Sequence, residues 1–244
     1  MLVGMTGVGG GSLMTPILVL LFNFHPATAV GTDLLYASVT KTVGTAVHGT
    51  RKSVDWKIVT ALACGSVPAA ILTLFSMAHF GALASQVTGE LTLLLGVVLV
   101  LTSVSILFRP LFLRWAGPRA DQATARGISG WTILLGAVLG VLVSLTSVGA
   151  GALGTTVLLM LYPRLPVARI AGSDIAHAVP LTLIAGIGHW LMGSVDLILM
   201  VGLLIGSIPG IIVGSLLANK VSDTLLRIVL AITLFVVALK MLTG

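Results

Sequence analysis

The sequence predicts an all-helical, polytopic membrane protein built from two inverted repeats. Each repeat is a Gly-rich re-entrant or broken hairpin followed by three transmembrane helices. Three observations predict this. The 244-residue chain is 57% hydrophobic and only 8% charged, where an ordinary soluble domain carries about 25% charge. Its mean hydropathy is +1.16. The two halves align with one another, and the few basic residues fall on alternate loops.

The composition excludes a soluble enzyme, a disordered chain and a nucleic-acid binder, because a soluble globule of this size needs a polar exterior. The net charge of +6 comes from only 13 Lys and Arg. Most stand beside apolar runs, where orientation in a bilayer accounts for them. The single cysteine, Cys64, excludes an intrachain disulfide and a dithiol redox pair. The first apolar run has no basic segment ahead of it, so no cleavable signal peptide is expected.

A spanning helix needs about 20 mostly apolar residues. Taken in order, the candidates are Asp33–Val47, Trp56–Met77, Glu90–Phe108, Asp174–Trp190, Val195–Ala218 and Thr224–Leu242. Thr32-Asp33 and Ser173-Asp174 resemble helix N-caps with an acidic first turn, and Asp55 and Asp196 open two further helices. Trp56, Trp131 and Trp190 stand at segment edges, as in an aromatic belt. Pro68 and Pro209 read as kinks and Cys64 as a small packing residue.

Met1–Phe22 and Trp131–Tyr162 do not read as simple spans. The first contains Thr6-Gly7-Val8-Gly9-Gly10-Gly11-Ser12, the second Thr146-Ser147-Val148-Gly149-Ala150-Gly151. Glycines in mid-membrane weaken a continuous helix and free backbone groups. The halves are residues 1–108 and 131–244, joined by a polar linker, residues 109–130, with Pro110 and Pro118.

At an offset of 140, Thr6 matches Thr146, Gly9 matches Gly149, Gly11 matches Gly151 and Pro26 matches Pro166. One inserted residue shifts the offset to 141. Gly31 then matches Gly172, Asp33 matches Asp174, His48 matches His189, and Ser53-Val54-Asp55 matches Ser194-Val195-Asp196. Such a register implies a duplicated unit of transporter type. The arm Trp131–Gly140 has no partner in the first half, so a longer native N-terminus is expected.

Basic residues set the orientation. Arg51, Lys52 and Lys57 lie inside, as does the linker with Arg109, Arg114, Arg119 and Arg126. The loop holding Arg164 and Arg169 also lies inside, provided that Trp131–Tyr162 enters and returns as a hairpin. A single crossing there would break the rule. Three spans per repeat then invert the second repeat and place Gly244 outside.

The run Gly4-Met5-Thr6-Gly7-Val8-Gly9-Gly10-Gly11-Ser12-Leu13-Met14-Thr15-Pro16, followed by Ala27-Thr28-Ala29-Val30-Gly31-Thr32, resembles the TauE/SafE family of sulfite-export-type permeases. Ser147-Val148-Gly149-Ala150-Gly151 and Gly172-Ser173-Asp174 resemble its second copy. The resemblance covers nearly the whole chain. It implies a multi-pass inner-membrane exporter of sulfite, a sulfonate or a related anion.

The residues themselves suggest the chemistry. A half-helix N-terminus offers unpaired N–H groups and a positive dipole end to an anion. Gly9, Gly10, Gly11, Gly149 and Gly151 permit close backbone approach, while Thr6, Ser12, Thr146 and Ser147 add hydroxyls. The alternative for the glycines is close helix packing. Lys41, in mid-span, is expected to supply positive charge, the alternative being a snorkelling lysine. His177, Asp174 and Asp33 are candidates for proton coupling. The alternatives are a hydrogen-bonded packing histidine and helix-start aspartates. His48 and His189 are expected at the interface.

No metal constellation, cofactor motif or ATPase domain is evident, so an ion gradient or the substrate gradient supplies the energy. The reading is a secondary transporter working by alternating access, with a small anion and the lipid bilayer as partners and a homo-oligomer as an open option. A passive anion channel and an intramembrane enzyme using Ser12 or Ser147 are the rivals.

Overall fold

The computed structural model describes residues 11–50, 54–80, 87–111, 125–218 and 223–243. Within them the chain forms α1 (Gly11–Leu20), α2 (Pro26–Thr50), α3 (Trp56–Phe80), α4 (Val87–Leu107) and α5 (Ala125–Thr146). These are followed by α6 (Leu153–Leu161), α7 (Val167–Leu191), α8 (Leu197–Ala218) and α9 (Asp223–Thr243). The molecule is all-helical among the described residues. Four stretches are long and apolar enough to cross a membrane: Trp56–His79, Gly89–Leu107, Ser129–Thr146 and Val167–Leu191. The outer faces are apolar, with Ile71, Leu72 and Phe75 on α3 and Ile232, Phe235 and Val236 on α9 all exposed. This is a multi-pass membrane protein.

The expected break in the second half is present. α5 ends at Thr146 and α6 starts at Leu153. Between them Ser147 (φ 58°), Gly149 (φ 124°) and Gly151 (φ 111°) adopt left-handed backbone, which costs an L-residue energy and suits glycine. The chain then turns back on itself. The hydroxyls of Thr132, early in α5, and Tyr162, just beyond α6, lie 2.7 Å apart. α5 is 22 residues long, about 33 Å, so it is longer than the short arm the sequence suggests and begins inside the stretch read as linker.

α5 lies against α3 along a seam of small residues. A Cβ on Gly65 would strike the Ile133 carbonyl, one on Gly136 the Leu62 carbonyl, and one on Gly140 the Ser66 carbonyl. Both helices therefore run in the same direction with their backbones in contact, as small-residue seams allow in membranes. At one end of this pair Ile58, Leu62, Leu158, Leu159 and Ile170 form a cluster with Leu135, Tyr162 and Leu165. That end also carries Lys57, Arg164 and Arg169 near it in the chain. A larger core joins α4 and α9 with α1, α2, α5 and α7 through Leu95, Val98, Leu99, Leu181, Leu230 and Leu234.

Sequence-matched helices meet antiparallel. Leu35 of α2 touches Gly186 of α7, and a Cβ on Gly31 would meet His189. Likewise Gly96 of α4 faces Leu242 of α9, and Ser103 Oγ donates to the Ala231 carbonyl at 2.8 Å. The halves also exchange bonds in matched pairs. The Asp55 N–H donates to Ser173 Oγ at 2.8 Å, and the Asp196 N–H donates to Thr32 Oγ1 at 3.0 Å.

Several expectations are corrected. Asp33 and Asp174 do not open helices. α2 begins at Pro26 and α7 at Val167, directly after Pro166, because proline supplies the helix-start φ and needs no N–H partner there. Asp55 and Asp196 do cap the next helices, accepting from the Lys57 N–H at 3.1 Å and the Leu199 N–H at 2.9 Å. His189 stands in the last turn of α7, buried and bonded to the Ser144 carbonyl at 2.9 Å. The side chains of His48 and Pro209 lie outside the described residues. Cys64 is exposed on the outer face of α3 rather than packed, because the inner face of that helix is taken by the seam with α5.

Candidate functional site

The site is built on α2 and α7, which the surrounding helices enclose. Their polar residues are tolerable in a membrane protein because protein, not lipid, surrounds them. Among the described residues the buried charged side chains are Asp33, Lys41 and Asp174, with His177 and His189 as the buried imidazoles. Asp33, Asp174 and His177 are each 0% exposed.

Each carboxylate is held by one oxygen. Asp33 Oδ2 accepts from Thr15 Oγ1 of α1 at 2.7 Å and from Ser147 Oγ, in the helix break, at 2.9 Å. Asp174 Oδ2 accepts from the Gly151 N–H at 2.9 Å and from Thr155 Oγ1 of α6 at 2.8 Å. Thr15 and Thr155 match at the repeat offset of 140. Asp33 Oδ1 and Asp174 Oδ1 are buried with no hydrogen-bond partner. Gly154 of α6 lies directly against the second carboxylate: a Cβ there would be 2.5 Å from Asp174 Oδ1.

Lys41 acts electrostatically on Asp33, Asp174 and His177. Its position follows from the register of α2 on α7. Five residues along each helix from the Leu35–Gly186 contact, Thr40 comes opposite Leu181, its own match at the repeat offset of 141. Lys41 is the next residue. Asp33 and Asp174 lie seven residues to either side of that crossing, about 10 Å along the helices. The match of Lys41 in the second half is Thr182, whose hydroxyl donates to the Ala178 carbonyl at 2.7 Å.

Two further matched contacts cross between the halves. His177 Nε2 lies 2.8 Å from Ser66 Oγ, and His177 Nδ1 has no partner. Tyr36, the match of His177, is hydrogen-bonded to Ser207. Sequence reading missed Tyr36, Thr15, Thr155 and Ser66. The signal for Tyr36 was its place three residues beyond Asp33, repeated as His177 beyond Asp174, and that for Thr15 was its match with Thr155 at the offset of 140.

The expected site residues divide. Ser147 is bonded to Asp33 and Gly151 to Asp174, while Lys41 lies along α2 between the levels of the two acids and His177 lies three residues beyond Asp174 on α7. Thr146 holds the break itself, its hydroxyl donating to the Leu142 carbonyl at 2.6 Å and accepting from the Val148 N–H at 3.2 Å. Gly149 accepts the Leu153 and Gly154 N–H groups, at 3.1 and 3.2 Å. The half-helix donors expected to hold an anion are thus turned to protein acceptors, and Asp174 occupies the anion position at the N-terminus of α6. Gly11 starts α1. Thr6, Gly9, Gly10 and the Ser12 side chain lie outside the described residues. Among the described residues no group of side chains could hold a metal ion.

The family profile described as Sulfite exporter TauE/SafE matches residues 1–241. The chain is 40% identical to the probable membrane transporter protein YjnA of Bacillus subtilis, over 99% of this chain and 94% of that one. It is 28% identical to the probable membrane transporter protein YdhB of the same organism, over 95% and 91% of the two chains. No solved structure matches significantly. The chain belongs to the TauE/SafE family of membrane transporters.

Proposed function

We propose that the protein is an inner-membrane secondary transporter that moves a small sulfur-containing anion, such as sulfite or a sulfonate, by alternating access. The observation that carries this reading is Lys41, a buried cation at the crossing of α2 and α7 between two buried carboxylates. An ionisable group in a membrane helix marks a substrate or ion path by default. The family's description as a sulfite exporter supports the substrate class and outward direction.

The mechanism rests on two inverted repeats. The antiparallel meeting of matched helices and the exchanged bonds of Asp55 with Ser173 and Asp196 with Thr32 support the inversion. Two arrangements of equal kind can then expose the centre to one face or the other. The return of α6 to the level of Thr132 supports a re-entrant hairpin. Residues 109–130 then lie in the cytoplasm and Gly244 lies outside.

The substrate site comprises Lys41, Ser147 and Gly151 with the glycine tips, including Thr6, Gly9, Gly10, Gly11, Ser12, Thr146 and Gly149. Asp33, Asp174 and His177 serve the coupling ion. The test is a panel of sulfite, sulfate, thiosulfate and small sulfonates in proteoliposomes. Saturable flux of a sulfur oxyanion is the expected outcome. Ohmic current would make the protein a channel, and no flux with turnover of a lipid or peptide would make it an enzyme.

A further inference from the structure

We infer that binding of a monovalent anion takes up one proton on the Asp33/Asp174 pair, and that the incoming anion inherits the hydrogen-bond donors of the carboxylate that the proton neutralises. The inference rests on the anion-transport reading and names its coupling.

Charge comes first. Among the described residues the buried charges are two carboxylates and one lysine. With all three ionised the centre is one unit negative, and an anion would bury a second unit, which a low-dielectric interior strongly disfavours. One proton makes the empty centre neutral. A second proton, taken up with a monovalent anion, keeps the loaded centre neutral. The empty and loaded proteins then differ by one proton and one anion, and the cycle moves no net charge.

The hydrogen bonds say where the anion goes. The Gly151 N–H and the Thr155 hydroxyl suit any oxyanion, yet both are spent on Asp174 Oδ2. Thr15 and Ser147 are spent the same way on Asp33 Oδ2. A carboxylate that gains a proton gives up much of its claim on such donors. Oδ1 of each group, buried and without a partner, is the oxygen open to the proton.

The facing groups fit this. On α2 they are Lys41 and Tyr36, and on α7 they are His177 and His189. α1, α6 and the helix break offer hydroxyls and a backbone N–H, α3 offers Ser66, and α8 offers Ser207. His177, three residues beyond Asp174 and with Nδ1 unpartnered, is placed to pass the proton. Its match beside Asp33 is Tyr36, so the two carboxylates are served by different groups.

The test uses the full chain in proteoliposomes with radiolabelled sulfite and with isethionate, a sulfonate that keeps a single charge across the pH range used. An inward pH gradient should accumulate isethionate, approaching about tenfold for one pH unit at one proton per charge. A potassium diffusion potential should leave that flux unchanged. Flux that follows the potential and ignores the pH gradient overturns the inference and leaves the transport reading standing. Absence of flux of both anions overturns the transport reading, and the inference with it. In Asp33→Asn/Asp174→Asn the pH gradient should lose its effect. Should that variant not fold, the wild-type measurements still decide the matter. Isethionate added to unbuffered, detergent-solubilised protein should also remove about one proton per bound anion from solution, and binding without proton uptake overturns the inference.

Discussion

Ser147 and Asp33 stand 114 residues apart in the chain, and their side chains meet at 2.9 Å, hydroxyl to carboxylate. This bond ties the helix break of the second half to the buried acid of the first. Hydrogen bonds to a charged group contribute about 1.5–3 kcal/mol. Ser147→Ala is therefore expected to lower stability by about that amount, read as the thermal unfolding midpoint in detergent. Thr15→Ala should do the same, and the pair should be non-additive by more than about 0.5 kcal/mol because both donate to one oxygen. Strict additivity would separate the two contacts.

Gly154→Ala is expected to reduce transport at least tenfold while the protein still inserts. The new methyl would meet Asp174 Oδ1 at 2.5 Å and displace the carboxylate. Gly202→Ala is the control, since a Cβ there meets nothing within 4 Å. Equal flux in the two variants would remove Asp174 from the working site.

Lys41→Ala should abolish saturable anion flux, because no other buried cation among the described residues can replace it. Lys41→Arg should retain charge but lose rate, since guanidinium geometry differs from that of a point charge. Transport left intact in Lys41→Ala would take this residue out of the anion path.

Thr32→Val and Ser173→Ala should each destabilise the protein by about 1–3 kcal/mol, because each leaves a partly buried backbone N–H without its acceptor. The N–H groups are those of Asp196 and Asp55 respectively. Unfolding midpoints check this, and a large effect from one variant with none from the other would refute the equivalence of the two contacts.

A reporter fused after Gly244 should register outside the cytoplasm, and one inserted in residues 109–130 should register inside it. The opposite result for the C-terminus would mean that α5 and α6 together cross the membrane instead of returning. An odd number of crossings would then separate the linker from the basic loop at Arg164 and Arg169.

The parts of this fold legible in sequence were those set by composition and spacing. Apolar runs marked α3, α4 and α7, and Thr146 to Gly151 marked the break. Lys41 stood out because charge is scarce. The start of α2 is not legible, because Thr32-Asp33 carries the residues of a cap while Pro26 starts the helix. Ser173-Asp174 and Pro166 stand in the same relation at α7. Asp33 and Asp174 are buried for a reason that spacing cannot express: Thr15 and Ser147 hold the first, Gly151 and Thr155 hold the second, and all four come from outside the helix that carries the acid. The outward direction of Cys64 is not legible in sequence because it depends on which face of α3 is covered by α5.

The exchanged bonds bear on how the protein is made. The N–H just ahead of α3 finds its acceptor in Ser173, more than a hundred residues later in synthesis. The glycine face of the same helix waits for α5. The first half thus leaves the ribosome with a helix start and a contact face unfinished, and both are completed by the second. Cutting the gene at the linker should give two fragments that fail alone and recover only when co-expressed.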